Sequence, residues 1–181
     1  MRIVTLLALC AVLCCSQGHM QEECLKERIP LHMIKEMIKT SKFIREPLDR
    51  DNKPFHRILG QLKNCYKKRK LNVADLKRIL EIYDEHVFQK LWKNNAHQST
   101  KMFLEFFKRL KGNMESCFSL TPETEGKRTL SLCAREKLKK IEDTFMMPEP
   151  GVQIKAMREF HNVLVWISLS MDRSRTHKKI Q

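Results

Sequence analysis

The sequence has little of what strands and phosphate-binding loops require. Only five of its 181 residues are glycine, and stretches that alternate apolar and polar residues are scarce. A half-buried strand shows that alternation, and the loops that cradle phosphates in nucleotide-binding enzymes are rich in glycine. The scarcity of both disfavours a β-rich fold and a nucleotide-binding site.

The sequence also lacks the short spacings that hold zinc or support thiol redox chemistry. No Cys-x-x-Cys pair occurs, and no two histidines are four residues apart, although such spacings are typical of structural zinc sites and thioredoxin-like motifs. His86 follows Asp84 and Glu85, which we interpret as a solvated helix face rather than a catalytic cluster. We therefore predict no catalytic residues, no metal ligands and no cofactor, and a protein that is not an enzyme.

The long apolar run of the sequence lies at its N-terminus. Residues 3–15 are largely apolar, follow Arg2 and form a run too short to span a bilayer comfortably. Small residues at Ser16 and Gly18 favour a cleavage point after Gly18. Residues 1–18 therefore predict a secretory signal peptide, with a membrane anchor as the alternative. We expect a secreted, extracellular protein without membrane insertion.

Four cysteines remain outside the predicted signal: Cys24, Cys65, Cys117 and Cys133. An even number of cysteines in a secreted chain predicts disulfides rather than free buried thiols. Three pairings of four cysteines exist, and the residues alone do not choose among them. Bridged cysteines leave no thiol to act as a nucleophile.

Apolar residues recur at helical spacing over most of the remaining chain, which predicts an all-α fold. Asn72 is a favourable N-cap, and Asp75 lies in the first turn of the third helix, where negative charge is stabilising. We predict a compact bundle of six helices and a basic, mobile tail over 172–181. The predicted helices are 31–43, 55–66, 73–92, 99–117, 129–145 and 151–171.

The charge balance is strongly positive. Lysine and arginine number 35 against 21 aspartate and glutamate residues, for a formal net charge of +14, which favours acidic partners. A dense basic run lies between the second and third helices. Such runs are solvated loops in most proteins, and sites for heparan sulfate, nucleic acid or another polyanion in some. The candidate polyanion-binding residues are Lys67, Lys68, Arg69 and Lys70.

The sixth predicted helix carries a pattern of residue types that is more informative than its periodicity. A Lys-Ala pair is followed after two residues by Glu and a large apolar residue, and aliphatic and aromatic positions come next. This pattern resembles the last helix of the interleukin-10 family of cytokines. The same segment, 152–163, also resembles the interferon-gamma signature. The residues that carry the resemblance are Lys155, Ala156, Glu159, Phe160, Val163, Trp166 and Ile167.

The third predicted helix favours the interleukin-10 family. Tyr83, Val87 and Phe88 are similar to an aromatic-x-x-x-Val-Phe pattern of that family, which comes soon after a cysteine, here Cys65. The four cysteines also fall where the two disulfides of the family need them, whereas interferon-gamma chains generally lack such bridges. The resemblance covers roughly residues 65–171.

The resemblance implies a structure as well as a family. It implies a six-helix cytokine bundle of the interleukin-10/interferon-gamma type over 19–171, with disulfides Cys24–Cys117 and Cys65–Cys133. Members of the family occur as monomers and as intertwined homodimers that exchange their last helices. The segment 119–128 is long enough to act as the hinge of such an exchange.

The resemblance also implies a function. Cytokines of this family bind and cluster class II cytokine receptor chains outside the cell and trigger JAK/STAT signalling in immune, inflammatory and epithelial defence. A type II interferon with antiviral and macrophage-activating activity is the alternative. The candidate receptor contacts are Phe43, Arg45, Glu46, Asp49, Arg50, Lys155 and Arg158.

Overall fold

The computed structural model describes residues 20–45, 57–92, 98–119 and 129–177; of Pro150 and residues 173–177 it describes only the backbone. Every regular element within these ranges is helical, which confirms the predicted all-α class. Several predicted features lie outside the described residues: the signal peptide, the receptor candidates Glu46, Asp49 and Arg50, the end of the basic tail, and nearly all of the hinge.

The described ranges contain seven α-helices and one 3-10 helix. The fourth helix, α4, is a continuous rod in which a π-helical turn, Asp84–Phe88, separates Val73–Tyr83 from Gln89–Leu91. A 3-10 helix, Ile58–Leu62, leads directly into the third helix, α3 (Lys63–Lys67). The other helices are α1 (20–28), α2 (Leu31–Arg45), α3 (Lys63–Lys67), α5 (Gln98–Ser119), α6 (Arg135–Met146) and α7 (Pro150–His177).

Two predictions near the N-terminus need correction. The sequence does not predict α1, because only Cys24 and Leu25 among its residues are buried, too few to form an apolar stripe. In its described part, from residue 57 onward, the predicted helix 55–66 is instead the 3-10 helix followed by α3, which ends at Lys67. The backbone therefore turns more tightly here than an α-helix would.

The last two helices differ from prediction at one end each. Helix α6 begins at Arg135 rather than at residue 129, because the Ser131 N–H donates to Asp75 Oδ1 at 2.9 Å and holds this segment against α4. Helix α7 continues to His177, beyond the predicted end at Met171. The first part of the predicted mobile tail is therefore helical.

The start of α4 confirms the predicted cap. Asn72 Oδ1 accepts a hydrogen bond from the Asp75 N–H at 2.8 Å, and Asp75 Oδ2 accepts one from the Asn72 N–H at 2.9 Å. This reciprocal pair is a capping box, which satisfies donors that the first turn of a helix leaves without partners. Asp75 is fully buried, and its other carboxylate oxygen, Oδ1, accepts the hydrogen bond from the Ser131 N–H.

The core lies where α4, α5, α6 and α7 meet, and α2 packs against α5 and α7. Large aromatic side chains fill this space, and burying each contributes roughly 1.5–3 kcal/mol relative to leaving it exposed. These fully buried rings are Tyr83, Phe103, Phe107, Phe145 and Phe160.

Two disulfides brace the helices. Cys24 of α1 is bonded to Cys117 near the end of α5, with 5.5 Å between their Cα atoms. Cys65 of α3 is bonded to Cys133, just before α6, with 5.7 Å between their Cα atoms. This is the pairing that the family resemblance implies. Each such bridge contributes about 2–4 kcal/mol, mainly by restricting the unfolded chain.

Candidate functional site

A hydrogen bond joins two of the family-motif positions across the contact between α4 and α7. The Tyr83 hydroxyl donates to the Ala156 carbonyl at 2.9 Å, and both residues are fully buried. Burial raises the pKa of Tyr83 well above its ordinary value, and the negative charge of Glu159 raises it further. The hydroxyl therefore stays protonated and keeps donating. The small side chain of Ala156 leaves room for this approach.

Phe88, another motif residue on α4, belongs to an aromatic cluster. Its ring centroid lies 4.8 Å from that of Phe107, 5.5 Å from that of Phe103 and 5.2 Å from that of Phe160, all edge-to-face. Such pairs add roughly 0.5–1.5 kcal/mol beyond the area they bury. Val87 beside it is also fully buried. These motif positions form the core rather than a ligand pocket.

Glu159 links α7 to the 3-10 helix. Its carboxylate accepts hydrogen bonds from the Ile58 N–H at 2.9 Å and the Leu59 N–H at 2.6 Å, so it caps the first turn of Ile58–Leu62. Only 8% of Glu159 is exposed. Burial raises the pKa of Glu159 above its ordinary value, while the two N–H donors and the charges of Lys155 and Arg57 oppose that rise.

The C-terminal part of the α7 motif is also structural. Val163 and Ile167 are fully buried, and Trp166 is nearly so. The Trp166 ring stacks on Tyr66 of α3 at 5.4 Å between centroids. The motif on α7 therefore fixes both the core and the position of α3.

Two candidate receptor contacts lie on the outer side of α7. Lys155 and Arg158 are each partly exposed. Partial burial lowers the pKa of Lys155, and the charge of Glu159 opposes this effect. Both positions are accessible in part to a macromolecular partner.

The last turn of α2 lies beside the middle of α7. Phe43 is 56% exposed, an unusual degree for a phenylalanine, and Arg45 is partly exposed. Burial lowers the pKa of His161, and the positive charges of Arg45 and Lys42 lower it further. The structure thus brings Arg45 of α2 near the helix that carries the other candidate contacts, and Phe43 is exposed in the same turn of α2.

The basic run ends α3 and is fully on the surface. Lys67, Lys68, Arg69 and Lys70 are all exposed. The Arg69 N–H donates to the Tyr66 carbonyl at 2.9 Å and the Lys70 N–H to the Cys65 carbonyl at 2.8 Å, the bonding pattern of a Schellman helix end. Arg69 adopts φ 52°, so four basic side chains project from one tight turn.

A cluster that the sequence does not predict joins α4 to α6. His86 Nε2 lies 3.4 Å from Glu142 Oε1 and 3.7 Å from Glu85 Oε2. Arg78 of α4 contacts the same Glu142 oxygen at 2.6 Å. Glu142 is 56 residues from His86 in the sequence, so their contact depends on how α4 packs against α6.

Comparison with protein-family models, with curated proteins and with solved structures finds no match for this chain. Among the described helices, none is both long enough and apolar enough to cross a bilayer.

Proposed function

We propose that the chain is a secreted six-helix cytokine of the interleukin-10 family, nearest to interleukin-26 or interleukin-22, that binds and clusters two class II cytokine receptor chains. The observation that carries this proposal is the disulfide pairing. Four cysteines allow three pairings, and the bonds Cys24–Cys117 and Cys65–Cys133 are those that the family resemblance implies.

The contacts of the motif residues support the proposal. Tyr83 and Glu159 make specific hydrogen bonds to the Ala156 carbonyl and to the start of the 3-10 helix. Residue types at these positions therefore have a reason to occur together: they set how α7 packs on α4 and on the 3-10 helix. A packing that needs these residue types is what a shared fold would produce.

The proposed receptor surface combines the end of α2 with the outer side of α7. Phe43 offers an exposed aromatic ring, and Arg45 and Arg158 offer guanidinium groups on rigid helices. Aromatic and arginine side chains are frequent anchors of protein interfaces. Clustering of two receptor chains would bring their cytoplasmic kinases together and start JAK/STAT signalling without any covalent step by this protein.

A receptor panel tests the proposal. Purified protein is passed over immobilised ectodomains of interleukin-10-type and interferon-gamma-type receptors, and STAT phosphorylation is measured in cells that carry each receptor pair. The proposal expects binding and signalling with the interleukin-10-type chains. Binding to the interferon-gamma type alone would support a type II interferon, and binding to neither would reject both. Light scattering of the same sample distinguishes a monomer from a homodimer.

The second candidate function is polyanion binding, which the exposure of the whole basic run favours. The four exposed cations from Lys67 to Lys70 follow one another on a single turn, so they can neutralise several anionic groups together. This charge could also support a direct antimicrobial or nucleic-acid-binding role. Replacing all four residues with Gln is expected to lower the salt concentration at which the protein elutes from heparin. Elution of the unaltered protein at low salt would exclude this function.

A further inference from the structure

Three side chains with metal-binding atoms converge between α4 and α6. Glu85 and His86 lie in the π-helical turn of α4, and Glu142 lies on α6. Their ligand atoms are all within 4.8 Å of one another. His86 Nε2 is 3.4 Å from Glu142 Oε1 and 3.7 Å from Glu85 Oε2, so one imidazole nitrogen faces two carboxylates.

The π-helical turn of α4 accompanies this convergence. Adjacent residues of an ordinary α-helix diverge around its axis and do not face each other. Here the widened turn places the ends of both Glu85 and His86 near Glu142. Single π-helical turns within α-helices occur frequently at functional sites. Asp84, in the same turn, lies 2.5 Å from Lys111 of α5 and is therefore engaged elsewhere.

We propose that Glu85, His86 and Glu142 form a Zn²⁺ site. Imidazole with carboxylate oxygen is a donor set that zinc favours over calcium or magnesium. Tetrahedral zinc with bonds of about 2.0–2.2 Å places its ligand atoms roughly 3.3–3.6 Å apart. The 3.4 Å between His86 Nε2 and Glu142 Oε1 already lies in this range. The Glu85 side chain is 51% exposed, so it can rotate and bring its carboxylate to the same distance. Water completes the fourth position.

Arg78 competes with the metal for one ligand. Its guanidinium contacts Glu142 Oε1 at 2.6 Å and Glu81 Oε2 at 3.2 Å. When zinc binds, Arg78 gives up Glu142 and retains Glu81. Removing the guanidinium should therefore strengthen zinc binding, whereas removing any ligand should weaken it. Zinc affinity should thus rise in the Arg78 variant and fall in the ligand variants, a contrast that only this arrangement predicts.

Titration of the disulfide-bonded protein with ZnCl₂ in a calorimeter tests the site. His86→Gln, Glu85→Gln and Glu142→Gln are each expected to weaken zinc binding about tenfold or more. Arg78→Gln is expected to tighten it about two- to fivefold, which corresponds to the loss of one partly exposed ion pair. The matched controls, exposed His32→Gln on α2 and Glu136→Gln on α6, should bind zinc as the unaltered protein does.

A second readout depends on the position of the site. Because the ion would link α4 to α6, zinc should raise the Tm of the unaltered protein and not that of His86→Gln. Glu85 is exposed, so Glu85→Gln keeps the test valid if His86→Gln fails to fold. Absence of zinc binding, or equal binding by the ligand variants and the controls, would overturn the proposal.

Discussion

The Glu159 carboxylate on α7 accepts a hydrogen bond from the Leu59 N–H at 2.6 Å, although the two residues are 100 positions apart in the sequence. The same carboxylate accepts from Ile58. This motif glutamate is thus the cap of a 3-10 helix that is distant from it in the sequence. The two backbone N–H groups that it accepts from explain why an ionisable residue is buried there.

Glu159→Ala is expected to destabilise the fold by about 2–4 kcal/mol, because two buried N–H groups lose their acceptor. Glu159→Gln keeps one acceptor oxygen, so its loss should be smaller, about 1–2 kcal/mol. Urea unfolding of both variants measures the difference. Asn162→Ala, at an exposed position of the same helix, is the control. Equal stability of Glu159→Ala and the control would contradict the capping role.

The pH dependence of stability also depends on Glu159. Its pKa is raised above the ordinary value of 4.5, so the folded state binds this proton more tightly than the unfolded state does. The contribution of this group to the free energy of unfolding should therefore fall as pH rises from 4.5 through the raised folded pKa. The stability of the unaltered protein minus that of Glu159→Gln isolates this effect. A difference that rises with pH over this range would contradict the expected fall.

Tyr83→Phe is expected to lower the free energy of unfolding by about 1 kcal/mol. The substitution removes the hydroxyl that donates to Ala156 and leaves the buried ring packed against Phe145 and Phe160. Chemical denaturation gives the change, with Tyr66→Phe, at a half-buried ring, as the control. A Tyr83→Phe protein as stable as the unaltered one would show that the hydrogen bond contributes nothing net.

Arg69→Gly is expected to stabilise the protein by about 0.5–1 kcal/mol. Arg69 has φ 52°, a left-handed conformation that glycine adopts without the steric penalty of a side chain. Lys68→Gly removes the same charge from a residue with φ −81° and should destabilise slightly. Thermal unfolding of the pair separates backbone strain from charge, and a lower Tm for Arg69→Gly than for Lys68→Gly would contradict the prediction.

Arg158→Glu is expected to weaken receptor binding roughly tenfold or more without unfolding the protein, since arginine anchors often carry much of an interface's binding energy. Surface plasmon resonance measures the affinity, and circular dichroism verifies the fold. Arg109→Glu, at an exposed position of α5, changes the charge equally and should bind normally. Unchanged affinity of Arg158→Glu would remove this residue from the proposed surface.

Local sequence signals predicted the helices where local contacts determine them. Asn72 and Asp75 form the predicted cap because both partners lie within one turn. The prediction failed at the start of α6, where the Ser131 N–H bonds to Asp75, 56 residues away. Helix α1 was missed for a similar reason. It is attached to the bundle by the disulfide from Cys24 to Cys117 rather than by an apolar stripe.

The candidate sites likewise fall into those that local sequence determines and those that helix packing determines. The exposure of the basic run from Lys67 to Lys70 follows from its composition, and the structure agrees. The burial of Glu159 and the approach of Glu142 to His86 depend on how α7 and α6 pack. Neither contact has a signal within one helix, so periodicity cannot reveal it.

The Cys65–Cys133 bond has a consequence for any exchange of helices between two copies of the chain. Cys65 precedes residues 120–128 and Cys133 follows them, so an exchange through that segment would move Cys133 onto the other copy. The bridge would then form between chains, and such a dimer would migrate as a monomer on a denaturing gel only after reduction. A dimer that separates without reductant must keep α6 on its own copy. The covalent state of the protein therefore records which copy supplies α6.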